Sequence, residues 1–380
     1  MQQPQLKLFQ RLTVWMAAIS LRHGDSVMLQ SPTRSGKTAM TYSLMSKAGG
    51  GRALVVTPRK EIAQQWADTA RQFGLSGAVI ADGEYDDSAH IIAATYNSAR
   101  NRLLTIMERN PDLCFLIVDE AHHAPAPTIQ NIVAAFQATT GGKIIYVTAT
   151  PGRSDGQNMT QNLDTSPIVV SIDEAIASPG GMLMEYKIEE VQVESELTVE
   201  DARRLCDKWQ AHGGLMKSTI FFVKRVADID IMLAEIVRRG GTAAGLHGKT
   251  PRAQRRKIMA DYKHGRLGAI VNVNVLTEGV DVNITSMVVI ANLPATETPY
   301  IQKAGRAIGR APGKPTPVII VGRPANRTTS TELRVRFKPD HEAITANLMQ
   351  HANPVQRAIW QASRTYETAH QQARKRDGRR

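Results

Sequence analysis

Cysteine is nearly absent from this 380-residue chain. Cys114 and Cys206 can form at most one bridge, and neither sits in a CxxC spacing, so a disulfide scaffold and a thiolate metal site are both excluded. Two reduced thiols suit a cytosol. Aromatic residues make up only 5% of the chain, too few for a binder that depends mainly on ring stacking. Long apolar runs are missing as well. The most signal-like stretch, Leu12 to Leu21, follows Lys7 and Arg11 but is only half of the roughly 20 residues that a bilayer requires. Arg22-His23-Gly24-Asp25 comes next in place of a small-residue cleavage site, so the stretch reads as a first helix and the expected location is cytoplasmic. Acidic charge is the minority sign, 35 Asp and Glu against 47 Lys and Arg, for a net charge of +12. That excess suggests an anionic partner, nucleic acid before membrane.

An apolar fraction of 42% excludes disorder and collagen, and the length suits two domains with their own cores. Short apolar runs recur, each bounded by turn residues and followed by a helix-period segment, the pattern of a parallel sheet built from βαβ units. They are Ser26 to Gln30, Ala53 to Thr57, His90 to Ala94, Cys114 to Val118 and Lys143 to Thr148, then Thr219 to Val223, Thr242 to Leu246, Gly268 to Val273, Met287 to Ala291 and Val318 to Val321. The expected division is a first α/β domain over residues 1–153, a linker and lead-in over 154–185, a second α/β domain over 186–325 and a basic helical extension over 326–380. From His351 onward seven Lys or Arg stand against two acids. A solvated terminus and a nucleic-acid contact are both open for that segment.

Ser31-Pro32-Thr33-Arg34-Ser35-Gly36-Lys37-Thr38 lies between a strand and a helix-period segment. This context suits a phosphate-binding loop, since loop and helix-start N–H groups converge on one anion. Lys37 would reach the β and γ phosphates, and Thr38 would hold Mg²⁺ through its hydroxyl. A chance Gly-Lys-Thr turn is the plain alternative, because Ser31 replaces the first glycine of GxxxxGK[ST]. Asp119-Glu120-Ala121-His122 ends the strand beginning at Cys114, where carboxylates emerge at the carboxyl edge of a parallel sheet. Asp119 can take Mg²⁺ through water, and Glu120 can orient or deprotonate an attacking water. Alone, such a pair is usually a helix cap. His122-His123 has no further ligands at metal spacing.

Together with Thr148-Ala149-Thr150, these stretches resemble motifs I, II and III of superfamily 2 helicases in the DEAH-type spelling. Asn274-Val275-Leu276-Thr277-Glu278-Gly279-Val280-Asp281 resembles motif V, and Gln302-Lys303-Ala304-Gly305-Arg306-Ala307-Ile308-Gly309-Arg310 resembles motif VI. Motif Ia is similar at Thr57-Pro58-Arg59-Lys60, motif Ib at Thr95-Tyr96-Asn97-Ser98, and the adenine-reading glutamine motif at Leu6 to Gln10. The ordered set covers residues 6 to about 325. In flavour the chain is most similar to compact phage and bacterial DNA helicases of the branch-migration and XPB-like group.

The resemblance implies two tandem RecA-like domains, each a mainly parallel sheet flanked by helices, that use ATP and Mg²⁺ and act on DNA, with RNA a second possibility. It implies nucleotide contacts from Gln10, Ser35, Gly36, Lys37, Thr38 and Asp281, and catalytic roles for Lys37, Asp119, Glu120, Gln302, Arg306 and Arg310. Arg59, Lys60, Tyr96, Asn97, Ser98, Lys249 and Thr277 would track phosphates, which carry no sequence information. His122, Thr148 and Thr150 would couple the two activities. Plainer readings stand beside these: a helix salt bridge for Arg306 and a turn-forming aspartate for Asp281. Two departures from the family pattern matter. Position 34 is usually glycine, and Arg34 puts a bulky cation at the loop mouth unless it points to solvent. In motif VI the second arginine comes four residues after Arg306, a spacing that would keep both on one helical face. An RNA helicase and the motor subunit of a restriction-type nuclease remain as alternatives.

Overall fold

In the computed structural model the described residues are 4–81, 86–124, 126–149, 167–170, 175–176, 181–273, 275–276, 283–294 and 297–324. Among them the chain forms two compact units that divide after Met182. Thr150, Asn274, residues 277–282 and the basic extension from 326 lie outside the described residues.

The first unit holds a seven-stranded sheet: β1 (Ser26–Gln30), β2 (Arg52–Thr57), β3 (Gly77–Ile80), β4 (Ile91–Thr95), β5 (Leu113–Asp119), β6 (Lys143–Thr148) and β7 (Pro167–Val169). The spatial order is β3-β4-β2-β5-β6-β1-β7, and every pairing is parallel. Alternate side chains feed two apolar layers. Val27, Leu29, Val55, Ile117 and Ile145 meet α1 (Leu8–His23), α2 (Lys37–Lys47) and α3 (Lys60–Gln72). Met28, Leu54, Val56, Leu116 and Tyr146 meet α4 (Tyr96–Arg109) and α5 (Pro127–Thr140). Burial on both faces is why the central strands read as unbroken apolar runs. Helix α5 starts with Pro127 in its first turn and ends at Gly141 in the left-handed region, the residues each terminus favours. Gly77 allows α3 to lie against β3, since a Cβ there would come within 2.2 Å of the Ala67 carbonyl oxygen.

The second unit holds β8 (Lys187–Val193), β9 (Thr219–Phe222), β10 (Ala243–Leu246), β11 (Ala269–Asn272), β12 (Met287–Ile290) and β13 (Val318–Pro324), in the all-parallel order β10-β11-β9-β12-β13-β8. Its helices are α6 (Val199–Ala211), α7 (Ala227–Arg238), α8 (Arg252–Lys263) and α9 (Glu297–Ile308). Thr198 and Asp201 form a reciprocal capping box at the start of α6. The core on this side packs Leu205, Trp209, Met232 and Ile236 against Phe221, Val271 and Val289. Both units are thus parallel α/β sheets with flanking helices, as the strand pattern predicts.

Each run read from sequence matches a strand to within a residue or two at its start, and β13 extends three residues past Val321. Edge strands β3, β7 and β8 escape that reading. An edge strand is covered less completely, and β8 alternates charged and apolar residues instead of forming an apolar block. Strand β7 joins the first sheet from within the stretch read as a linker. Cys114 is exposed and Cys206 buried, and both are free. No described helix is long and apolar enough to cross a membrane.

Candidate functional site

Strand β1 ends at the buried Gln30, and the chain turns immediately into the loop Ser31–Gly36. The Ser31 N–H donates to the Thr148 carbonyl at 3.0 Å, which joins the loop to the end of β6. Ser31, at the position where the general pattern has glycine, hydrogen-bonds through its hydroxyl to the Ser35 hydroxyl, and both side chains are buried. Gly36 adopts φ +85° at the N-cap of α2 and supplies no side-chain cap. The aligned peptide dipoles at this helix start favour negative charge. Lys37 Nζ donates to the Ser31 and Pro32 carbonyls at 3.1 and 3.2 Å, so the ammonium lies over the loop. Thr38 sits half-buried in the first turn of α2.

Gln10 closes the loop from α1. Its amide nitrogen donates to the Ser35 carbonyl at 2.7 Å, while its amide oxygen accepts from the Lys7 N–H at 2.7 Å. A Cβ on Gly36 would stand 2.3 Å from that amide nitrogen and would push the Gln10 amide off the loop, and φ +85° favours glycine there. Arg34 is half-buried and does not simply extend into solvent. It takes φ +71°, a left-handed conformation that the family's glycine would adopt without strain.

The carboxylates stand at the end of β5. Asp119 is buried; its Oδ1 accepts from the Glu120 N–H at 2.9 Å and its Oδ2 from the Trp66 indole N–H at 2.6 Å. Glu120 has φ +49°, a second non-glycine residue held in the left-handed region. His122 Nδ1 lies 3.4 Å from Thr148 Oγ1 and 3.5 Å from Glu120 Oε2, so the ends of β5 and β6 are in side-chain contact through His122 and Thr148. Lys37, Asp119, Glu120, His122, Thr148 and Gln10 thus gather at the carboxyl edge of one sheet, the edge where α/β proteins bind ligands.

The groove residues are spread over several elements. Arg59 is the extended N-cap of α3, with Lys60 at its first position. Tyr96 opens α4, and its hydroxyl donates to the Asp119 carbonyl, tying motif Ib to motif II. The Ser98 N–H donates to the Thr95 hydroxyl in the N-cap, while Asn97 is exposed. In the second unit Lys249 is exposed between β10 and α8. Gln302 and Arg306 are buried on α9. The expected sharing of one helical face by Arg306 and Arg310 does not hold: α9 stops at Ile308, Gly309 bridges to Leu183, and the exposed Arg310 donates to the Leu183 carbonyl at 3.4 Å. Thr150, Thr277 and Asp281 fall outside the described residues.

Three further residues near these positions were given no role by the sequence: Trp66 and Tyr42, which lie outside the motifs, and Lys303, within motif VI. Trp66 and Tyr42 read as ordinary apolar-face residues of their helices, and no local pattern marks either. Tyr42 donates to the Trp66 carbonyl at 2.6 Å, with the rings edge to face at 5.4 Å. Burial first, then the Asp119 charge, pushes the Tyr42 phenol well above its ordinary range. Lys303 places its Nζ 5.5 Å from the centre of the Phe222 ring, and burial pushes its ammonium down to about 8. Its neighbours Gln302 and Arg306 are the signal that could have found it.

A phosphate-type loop after β1, acidic residues at the end of β5 two strands away in the same parallel sheet, and a second parallel α/β unit make up a two-part core of the kind that nucleotide-driven motors use. Residues 2–153 match the family described as type III restriction enzyme, res subunit, and residues 201–311 match the helicase conserved C-terminal domain. These are the two halves of one core, and the chain is a superfamily 2 helicase. It is similar to the ATP-dependent RNA helicase fal1 of Schizosaccharomyces pombe, with 21% identity over 309 residues covering 77% of this chain and 76% of that protein. A 51.5 kDa protein of a Lactococcus phage is 25% identical over 311 residues, which cover 77% of this chain and 64% of the phage protein. The fold is shared with the helicase MrfA bound to DNA, at TM-score 0.65 and 17% identity, covering 89% of this chain and 51% of that one. The chain therefore spans about half of MrfA and just under two thirds of the phage protein.

Proposed function

We propose that the chain hydrolyses ATP to move on, or remodel, duplex or forked DNA, in phage or bacterial replication or recombination. The observation that carries the reading is the glycine-capped start of α2, with Lys37 over the loop, on the same sheet edge as Asp119 and Glu120. ATP would lie with its β and γ phosphates against the α2 N-terminus and Lys37, and Gln10, Ser35, Gly36 and Asp281 would complete the nucleotide contacts. The donor set of Thr38 hydroxyl and Asp119 carboxylate is all oxygen, which fits Mg²⁺. When bound, the ion would neutralise charge on the phosphates.

Glu120 orients a water on the γ-phosphorus and takes its proton as the new P–O bond forms. The bond to the β,γ-bridging oxygen breaks, leaving ADP and inorganic phosphate. In the roles that the motif VI resemblance implies, Gln302 would act on the γ-phosphate or that water and Arg306 on charge building on the γ-phosphoryl oxygens. Arg310 contributes less, because it is exposed and engaged with Leu183. Arg59, Lys60, Tyr96, Asn97, Ser98, Lys249 and Thr277 follow the nucleic-acid backbone, with His122, Thr148 and Thr150 relaying between the two sites.

The restriction-type match over residues 2–153 and the DNA-bound fold relative support DNA as the substrate and the DNA-helicase subgroup as the affiliation. The likeness to fal1 supports RNA as the second reading, and the restriction-type match equally suits a motor subunit that serves a partner nuclease. ATPase and strand-separation assays on blunt duplex, tailed duplex, fork and four-way junction, with single-stranded DNA and RNA alongside, decide among them. Turnover stimulated by forked or duplex DNA is expected. Stimulation by RNA alone would replace the DNA reading, and DNA-stimulated turnover without strand separation would favour a translocating motor subunit.

A further inference from the structure

We infer that Trp66 is a positioning residue for Asp119, setting the carboxylate through which this chain would hold nucleotide-bound Mg²⁺; the inference rests on the ATP reading above. The contact is specific. Trp66 stands on α3, 53 residues from Asp119 in sequence, and its indole N–H donates to Oδ2 at 2.6 Å. Both residues are buried, Trp66 to 1% exposure and Asp119 to 7%. An indole has one donor and no acceptor, so this hydrogen bond can run in only one direction. With Oδ1 held by the Glu120 N–H, the carboxylate plane is fixed by two donors on opposite oxygens.

The indole is fixed in turn. Tyr42, on the helix whose first turn carries Lys37 and Thr38, donates to the Trp66 carbonyl and packs edge-on against its ring. A chain of contacts thus runs from α2 through Tyr42 and Trp66 to Asp119, linking the phosphate-loop helix to the acidic strand end through the core. A buried indole N–H needs an acceptor wherever it lies, and here the acceptor is the carboxylate at the end of β5. Donors behind metal-binding carboxylates orient them, and removing one typically costs about 10- to 100-fold in metal affinity.

The test is Trp66→Phe, which keeps a ring against Tyr42 and removes the N–H donor along with part of the indole. ATP binding to the full chain is measured by calorimetry, once with EDTA and once across a magnesium titration. The expected result is unchanged affinity in EDTA, with half-saturating magnesium raised about tenfold. Trp66→His, which retains a ring N–H donor, should recover part of that loss. Magnesium dependence equal to that of the parent protein would overturn the proposal. If the parent itself gains nothing from magnesium, the Asp119 assignment fails instead, so the two failures are distinguishable.

A second measurement does not depend on the variant folding. In parent protein labelled with ¹⁵N-tryptophan, the indole resonance that moves in Asp119→Asn should also move when magnesium is added to the ADP-bound protein. A resonance indifferent to magnesium would refute the positioning role.

Discussion

At the residue scale, two charged groups of the proposed nucleotide site are held in different ways, and their variants should fail differently. Lys37 is a point charge placed over a loop otherwise made of backbone dipoles. Lys37→Ala should weaken ATP binding and reduce hydrolysis by about 10³-fold, as expected for a preorganised charge in a catalytic site. Glu120→Gln keeps the shape and removes the base, so nucleotide should still bind while turnover falls about 10²- to 10³-fold. Equilibrium binding and steady-state hydrolysis on both variants separate the two roles. Near-normal turnover in the first, or lost binding by a folded second, would contradict the assignments. Arg306 is buried on α9, whereas Arg310 lies beyond its end and is bonded to Leu183. Arg306→Ala should lower nucleic-acid-stimulated turnover by on the order of 10³-fold or more, and Arg310→Ala by less than about tenfold. Turnover at saturating ATP compares them directly, and an active Arg306→Ala protein would refute the catalytic role of Arg306.

At the scale of elements, α6 and α7 are joined by an ion cluster. Glu235, buried on α7, accepts from Arg238 at 2.9 Å and from Arg239, and lies 3.6 Å from Arg203 on α6; Arg239 also meets Asp207 at 2.6 Å. Burial alone would raise the Glu235 carboxyl, but hydrogen bonds from Arg238 and Arg239 hold it below its ordinary value of 4.5. A carboxylate whose folded pKa is depressed contributes stability above its unfolded pKa and loses it as pH falls through the folded one. Glu235→Gln should therefore destabilise the second unit by about 2 kcal/mol at neutral pH, less than a fully buried pair because Arg203 and Arg238 are exposed. The difference from the parent should shrink as pH drops below about 4.5. Denaturant unfolding followed at pH 7 and pH 4 checks both the size and the sign, and a pH-independent difference would mean that packing, and not charge, is lost.

For the whole molecule, the net charge of +12 is concentrated in part beyond residue 351. Deleting the chain from Ala373 should weaken DNA binding and leave basal ATP hydrolysis nearly unchanged, because phosphate contacts would be lost without touching the nucleotide site. Each phosphate contact removed should flatten the slope of log affinity against log salt by about 0.9 on duplex DNA. An unchanged slope would favour the solvated-terminus reading of that segment.

The local sequence was enough to place the central strands, the loop between β1 and α2 and the acidic strand end. These depend on neighbours a few positions apart: apolar blocks buried on both faces, a glycine before a helix, carboxylates after a strand. Only the folded chain could add the edge strands β3, β7 and β8, whose pairing partners and not their composition make them strands. Tertiary structure also decided that α9 stops at Ile308, where a bridge to Leu183 competes with another helical turn. It decided that Arg34 holds a left-handed conformation beside a loop pinned by Gln10. The Trp66 to Asp119 bond belongs to the same class. It joins residues 53 positions apart through the packing of α3 on a parallel sheet, and such contacts are set by crossover connections that no short window of sequence contains.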